Sequence, residues 1–396
     1  MIGPATLTIP DEVLAIARTL EDAGHEAWCV GGALRDALLG LPHSDYDFAT
    51  SATPAQVTAL FRRTSPVGEK HGTVGVLDGR RVLHEVTTFR RDVSTDGRHA
   101  VVAYGASLDD DLARRDFTVN AIAYHPLRHE WRDPFGGRED LARGLLRAVG
   151  RPDERFHEDF LRILRGIRFA ARFDFTIDPD TWSAAVAAAP GLAQLSAERV
   201  RDEWFKGLST ARAVPELVTL WIQAGAAERW LPELIPAPAD RVQAAGSLPV
   251  GRRDPVLLTA LLLGDATLAL RRLRASNAEI GRAAAMARGP DAPQAEDERA
   301  VRRWLADVGR AADDLLRLHQ LRHGATPAWA ATAARIRERG DPLARGDLAV
   351  TGADLQELGA TGPRIGKVLG LLLDRVLDDP GLNQRDTLLA LARGMT

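Results

Sequence analysis

The period of the apolar positions changes along the first 140 residues. Val13, Leu14, Ala17 and Leu20 recur at helical spacing, which predicts an amphipathic helix over 10–20. The apolar run 27–30 stops at Gly31-Gly32 and predicts a buried strand entering a tight turn. Thr53-Pro54-Ala55-Gln56 predicts a helix start: a Thr cap, Pro in the first turn, and Gln three residues after the cap. The β-rich runs 72–77 and 81–89 flank Asp78-Gly79, a hairpin turn signal. After Gly144 the β patterning stops, and Ala, Leu and Arg recur with a 3.6-residue period, predicting an all-helical remainder. Clusters of Pro, Gly and Asp at 236–255 and 288–298 predict connections between helical subdomains. No repeat with a period of 20–50 residues occurs, and the Ala-rich run 184–189 reads as helix filler.

Composition narrows the class. The chain has 396 residues, 45% hydrophobic and 27% charged, which is ordinary for a globular protein of two to four domains. Its one cysteine, Cys29, excludes an internal disulfide framework and a Cys-based zinc site, so a reducing cytosol is expected. The first 20 residues lack a basic segment followed by a long apolar one, and the longest apolar runs, such as 256–263, fall short of the ~20 residues a membrane helix needs. Neither a signal peptide nor membrane insertion is expected. The net charge of −3 counts mildly against a generally basic nucleic-acid binder. Lysine is confined to Lys70, Lys206 and Lys367, so arginine supplies the cations. A GC-rich genome accounts for that bias, and only the placement of the arginines carries functional information.

Three constellations carry such placement. Gly31-Gly32-Ala33-Leu34-Arg35-Asp36 puts two glycines between a strand and a helix, where backbone N–H groups can approach a phosphate. Asp45-Tyr46-Asp47 follows, and strand alternation would place both carboxylates on one face, about 6–7 Å apart. Like charges held side by side call for a cation between them, and hard oxygen ligands suit Mg²⁺. The second is Arg114-Arg115-Asp116-Phe117-Thr118-Val119-Asn120, whose cations, carboxylate and amide suit phosphate and ribose together, or else form a charged helix cap. In the third, Asp159, Arg162, Arg165 and Arg168 recur every three residues and predict a slowly spiralling helical stripe. Asp159 and Arg162 could face a nucleobase edge, with Arg165 and Arg168 adding positive charge, or else form an i,i+3 ion pair on a solvated face. Residues 143–172 hold eight arginines against four acids, the clearest basic footprint in the chain.

GGALRD, DYD, EVTTFR (85–90), DGRHA (96–100), RRDFTVNA (114–121), DPFGG (133–137) and EDFLR (158–162) occur in this order. Together they resemble the class II tRNA nucleotidyltransferases, the CCA-adding enzymes, which share a family with bacterial poly(A) polymerase I. Segments 347–348, 352–355 and 362–366 resemble the tail of the bacterial CCA-adding branch. The resemblance implies an α+β fold: a polymerase-β-like nucleotidyltransferase head with a mixed sheet (1–140), then an all-α neck (141–207), body (208–298) and tail (299–396). It implies that Asp45 and Asp47 hold a catalytic Mg²⁺. Gly32, Arg35 and Arg115 would contact the nucleotide, and Asp159 and Arg162 would read the base of CTP or ATP. Arg165 and Arg168 would be further nucleotide-binding positions, and SAERVRDE (196–203) a structural support.

The implied partners are tRNA, CTP and ATP in the cytoplasm, without a membrane. The tRNA 3′-hydroxyl would attack the α-phosphate and release pyrophosphate, with no protein nucleophile and no histidine base. His43, His71, His84 and His157 are expected to be structural or surface groups. No His-Asp dipeptide occurs, so an appended HD-type phosphohydrolase is not expected. Alternatives are an enzyme adding only CC or only the terminal A, a poly(A) polymerase, and a non-catalytic tRNA-binding protein. The last is disfavoured because both aspartates are intact. Residues 92–104 hold the turn-forming Ser94-Thr95-Asp96-Gly97 and read either as an ordinary hairpin connection or as a mobile loop. DVSTDGRHA (92–100) resembles the loop of full CCA-adding enzymes, so 92–104 is expected to serve addition of the final A, with Asp96 and Arg98 as switching charges.

Overall fold

The computed structural model describes residues 6–43, 46–65, 72–95, 100–289, 291–293 and 297–395. Asp45, His71, Asp96 and Arg98 lie outside the described residues. Two compact units divide the chain: residues 1–236 with 249–252, and residues 237–248 with 253–396.

The first unit opens with α1 (Asp11–Asp22), β1 (Ala27–Val30), α2 (Gly32–Leu38), β2 (Asp47–Thr50) and α3 (Pro54–Leu60). Strands β3 (Thr64–Ser65), β4 (Thr73–Leu77), β5 (Leu83–Thr88), β6 (Arg90–Thr95) and β7 (Ala100–Tyr104) follow. Then come α4 (Leu108–Ala113), β8 (Ala123–His125), β9 (Glu130–Arg132), α5 (Gly137–Arg143) and β10 (Leu145–Leu146). Helices α6 (Pro152–Glu158) and α7 (Leu161–Phe173), strand β11 (Thr176–Ile177), and helices α8 (Pro179–Ala188) and α9 (Ala197–Thr210) continue the unit. The Thr53–Gln56 capping box forms as its sequence predicts, with each residue closing on the other's backbone.

Seven strands make a mixed sheet in the order β3-β4-β5-β2-β1-β8-β9, with β2 and β5 parallel and the other neighbours antiparallel. Alternation divides its residues between two cores. Ala27, Cys29, Tyr46 and Phe48 join Val13, Ile16 and Leu20 of α1 on one face. Trp28, Val30 and Ala49 join Leu108 and Leu112 of α4 on the other. Asp47, opposite Val30 in the register, lies on the Ala49 side of the alternation.

The β4–β5 hairpin forms around Asp78-Gly79, but β5 starts at Leu83 rather than at Arg81. The reason is local. Arg81 takes a left-handed φ of 66°, and Asp78 Oδ1 accepts the Arg80 and Val82 N–H groups at 2.8 Å each, which closes 78–82 into a loop. Strands β6 and β7 pair as a separate ladder with a register shift between Asp92 and Ser94.

Beyond Gly144 the first unit is helical apart from a two-residue parallel ladder, β10 with β11, and one bridge from Ala148 to Phe117. Helix α7 buries Leu161, Ile163, Leu164 and Ile167 and packs against α9. Gly166 faces the Phe117 ring; a Cβ there would lie 2.9 Å from Phe117 Cζ, so a larger residue would push the ring away from α7.

The second unit is helical among the described residues. Trp304, Trp329 and Ile336 anchor one of its cores, and Leu355, Leu372 and Leu388 another. Thr351, just before segment 352–355, and Asp354 within it form a capping box, and Pro363 opens the helix Pro363–Asp378. No helix among the described residues is long and apolar enough to cross a membrane.

Candidate active site

A cavity of about 540 Å³ opens where the end of β1, the start of β2, the 114–120 segment and α7 meet. It is lined by Gly31, Gly32, Arg35, Asp47, Arg115, Asp159, Arg162, Arg165 and Arg168, so every candidate residue except Asp45 falls on one cavity. Arg114, Asp116, Asn120, Phe169, Arg172 and Arg199 complete the polar and aromatic lining. A neighbouring cavity of about 440 Å³ shares Gly32, Asp47 and Arg172 and adds Asp36 and His43.

Each guanidinium in the lining is held by a carboxylate. Arg35 is buried; its Nε and Nη2 donate to Asp36 Oδ1 at 2.9 and 2.7 Å, and its Nη1 donates to Asn120 Oδ1 at 2.6 Å. Its Cζ lies 4.6 Å from the Phe173 ring centroid and 5.1 Å from that of Phe169. Burial pushes this guanidinium down, against the opposing pull of Asp36. Arg172 reaches the other Asp36 oxygen at 2.9 Å. Asp111 holds both Arg114 and Arg115, at 3.1 and 3.2 Å. Arg168 is buried and paired with Glu203 of α9, which makes it a link between two helices as well as a lining residue. The local excess of arginine between 143 and 172 is therefore largely balanced by acids from elsewhere in the fold. What remains is a set of donors fixed in place before any ligand arrives.

Asp116 is the centre of this arrangement. Its Oδ1 accepts the Phe117 N–H at 2.8 Å and Asn120 Nδ2 at 2.9 Å, and its Oδ2 accepts Arg165 at 2.7 Å. Burial pushes the carboxyl up, but Arg165, Asn120 and the Phe117 N–H outweigh it and hold the group well below the usual carboxylate range. A depressed folded-state pKa gives stability that is fully present above the ordinary carboxylate range and lost as pH falls through the folded value. The gap in urea stability between wild type and Asp116→Asn is expected to be about 2–4 kcal/mol, with Arg165 partly screened by water. It should stay constant from about pH 8 to pH 5 and shrink only below about pH 4. A gap that closes between pH 8 and 5 would contradict this account.

The arginine stripe differs from its sequence prediction in one respect. Asp159 is not on the helix with the three arginines. The chain breaks between Glu158 and Leu161, and Asp159 is extended at φ −156° and ψ 105°. Its Oδ1 accepts the Leu161 N–H at 3.0 Å and so serves the open end of α7, while Oδ2 accepts Arg199 at 2.7 Å. Arg162 bonds Glu158, and it donates to the carbonyls of Arg155 and Arg114 at 2.9 Å each. Asp159 and Arg162 thus line one cavity with separate partners. Sequence reasoning misses Arg199 and Glu158 as site residues. Arg199 lies within SAERVRDE, where its helical spacing carries no sign of its partner 40 residues earlier.

Gly31 has a left-handed φ of 78°, and a Cβ there would lie 3.4 Å from Arg115 Nη1 and 3.8 Å from Asp47 Oδ2. The bare glycine leaves a cradle between a carboxylate and a guanidinium. The Asp47 carboxylate could give oxygen to a divalent cation, whereas the Arg115 guanidinium, itself a cation, suits an anionic oxygen such as that of a phosphate. Among the described residues no group of three or more His, Cys, Asp or Glu side chains gathers there. His43, His84, His125 and His157 each bond a protein partner, as expected of structural groups. Burial, reinforced by Asp47, pushes the Cys29 thiol up and keeps it inert.

The carboxylate that opens β2, a glycine turn and a helix of clamped arginines surround one cavity, the arrangement expected of a nucleotidyltransferase site. The family profile described as the poly A polymerase head domain matches residues 27–147, and that described as a probable RNA and SrmB-binding site of polymerase A matches 174–237. The CCA-adding enzyme of Geobacillus stearothermophilus is 45% identical over 218 residues, 54% of each chain. That of Streptococcus suis (strain 05ZYH33) is 47% identical over 208 residues, 50% of this chain and 51% of its own. These alignments span about half the length of the curated relatives. The crystal structure of the Bacillus stearothermophilus CCA-adding enzyme in complex with CTP superposes with a TM-score of 0.76 and 32% identity, covering 98% of both chains. The Thermotoga maritima CCA-adding enzyme complexed with tRNA shares the fold, with a TM-score of 0.61 and 18% identity over 97% of this chain and 94% of its own. The chain belongs to the CCA-adding enzyme family.

Proposed function

We propose that this protein adds CCA to the 3′ ends of tRNA in the cytoplasm, taking CTP and ATP and releasing pyrophosphate. The observation that carries the reading is the single cavity joining Asp47 and the Gly31-Gly32 turn to Asp159 and the arginines of α7. Nucleotidyltransferases of this class typically depend on a metal ion. In this reading Asp45 and Asp47 hold Mg²⁺, which when bound lowers the pKa of the attacking hydroxyl and steadies charge on the reacting oxygens. Arg115 and the Gly31-Gly32 turn, Gly32 above all, face the triphosphate. Arg35, clamped by Asp36 and Asn120, is a further contact for the nucleotide. Asp159 and Arg162 meet the base edge, and Arg165 and Arg168 are further nucleotide-binding positions on the cavity wall. The four-part division into head, neck, body and tail belongs to the same reading. The test is incubation with tRNA lacking CCA, with CTP and ATP separately and together, resolving products to one nucleotide. A full CCA end is expected only with both; CC alone with both would leave a partial enzyme.

Strands β6 and β7 supply a base for the loop expected to serve the final A. Deleting 93–99 is expected to leave CC addition within about threefold of wild type and to stop the product one nucleotide short, because a hinged loop acts after the first two additions. Loss of the first C as well would make the segment a general structural element.

A further inference from the structure

His84 is buried at 1% exposure, and the mechanism above does not use it. Its Nδ1 lies 3.0 Å from the Tyr46 carbonyl oxygen, and its Nε2 lies 3.3 Å from Asp78 Oδ2. The Tyr46 carbonyl can only accept, so the bond to it requires the Nδ1–H of the imidazole. Asp78 is fixed in turn: its Oδ1 accepts the Arg80 and Val82 N–H groups, and its side chain is 5% exposed. Tyr46 is gripped a second time at its phenol, which meets His43 Nε2 at 2.8 Å, while His43 Nδ1 reaches the Leu41 carbonyl at 2.9 Å.

The position of the held carbonyl matters. The Tyr46 carbonyl and the Asp47 N–H belong to one planar peptide unit. The β2–β5 ladder runs from Phe48 opposite Val86 to Thr50 opposite Thr88, so Tyr46 precedes its first pair. His84 stands two residues before Val86 on β5, and its side chain takes over where the backbone ladder stops. Without it, the Tyr46 carbonyl would lose this partner, and the peptide that orients Asp47 would be held only from the β1 side, where Asp47 pairs with Val30.

We propose that His84, backed by Asp78, is a positioning residue that fixes Asp47 through the Tyr46 peptide. The proposal rests on the reading of Asp47 as a metal ligand. Partners one step behind a metal ligand set its orientation and govern metal affinity.

The test compares full-length His84→Phe, His84→Gln and His84→Asn. Phe keeps the buried ring without a donor. The Asn amide nitrogen can stand where Nδ1 does, whereas Gln reaches the Asp78 end. Mn²⁺ binding is read from the electron paramagnetic resonance of the free ion without nucleotide, alongside kcat and KM for C addition. The Phe and Gln variants should bind Mn²⁺ about 10-fold more weakly and lose kcat to a similar degree, with KM for tRNA unchanged, and Asn should stay near wild type. Wild-type Mn²⁺ affinity in Phe or Gln, or equal losses in Asn and Gln, would overturn the proposal. Asp47→Ala is the separate control: if it leaves Mn²⁺ binding intact, the metal reading itself fails, whatever His84 does.

Discussion

Asp47→Ala is expected to lower nucleotide addition by about a thousandfold or more, equivalent to about 4 kcal/mol of transition-state stabilisation, with tRNA affinity within about twofold of wild type. Asp47 opens β2 beside the Gly31 cradle and lines both cavities of the site. Its neighbours Phe48 and Ala49 are buried in opposite cores, so the strand keeps its place when the carboxylate is shortened to a methyl. The loss should therefore appear in kcat and not in the melting curve. Asp47→Asn, which keeps the shape and removes the charge, should fall nearly as far. Single-turnover C addition, with tRNA binding measured in parallel, separates the two effects. Turnover within tenfold of wild type in either variant would remove Asp47 from the metal site. Asp45→Ala is expected to behave in the same way.

Arg162→Ala and Asp159→Ala are expected to act on choice rather than on speed. A site that meets a base edge with its own polar groups rejects the wrong base because those groups are left unpaired, at about 1–3 kcal/mol each. The preference for CTP over UTP should fall by about 10–100-fold in either variant. The fold gives this a definite geometry. Arg162 is held by Glu158 and by the carbonyls of Arg155 and Arg114, so its remaining N–H groups point from a fixed frame. Asp159 is held by Arg199 and by the first turn of α7. Single-turnover rates with each of the four nucleotides provide the measurement. Unchanged ratios would mean that these side chains support α7 without reading the base.

Much of this site is legible in the amino-acid sequence. The Gly31-Gly32 turn and the Thr53–Gln56 cap depend on backbone geometry within a few residues, and the arginines at 162, 165 and 168 depend only on helical period. Local rules therefore find them. The same rules misjudge Asp159, because a three-residue period continues across a helix break that is visible only in φ and ψ. They also begin β5 two residues early, because the bonds of Asp78 that close the 78–82 loop reach back from an alternating run.

The amino-acid sequence alone determined the order of elements, the change from sheet to helix near Gly144, and the motif set that places the chain in its family. Tertiary structure alone decided the distant partners of the charged groups. Asp36 binds Arg172, 136 residues away, Asp116 binds Arg165 across 49, and Asp159 binds Arg199 across 40. It also decided that His84 holds the Tyr46 carbonyl 38 residues earlier. The physical reason is range. Propensity, capping and periodicity act over one or two turns of chain, whereas ion pairs and buried hydrogen bonds act through space, and their partners are chosen only when the sheet and α7 close on each other at Gly166 and Phe117.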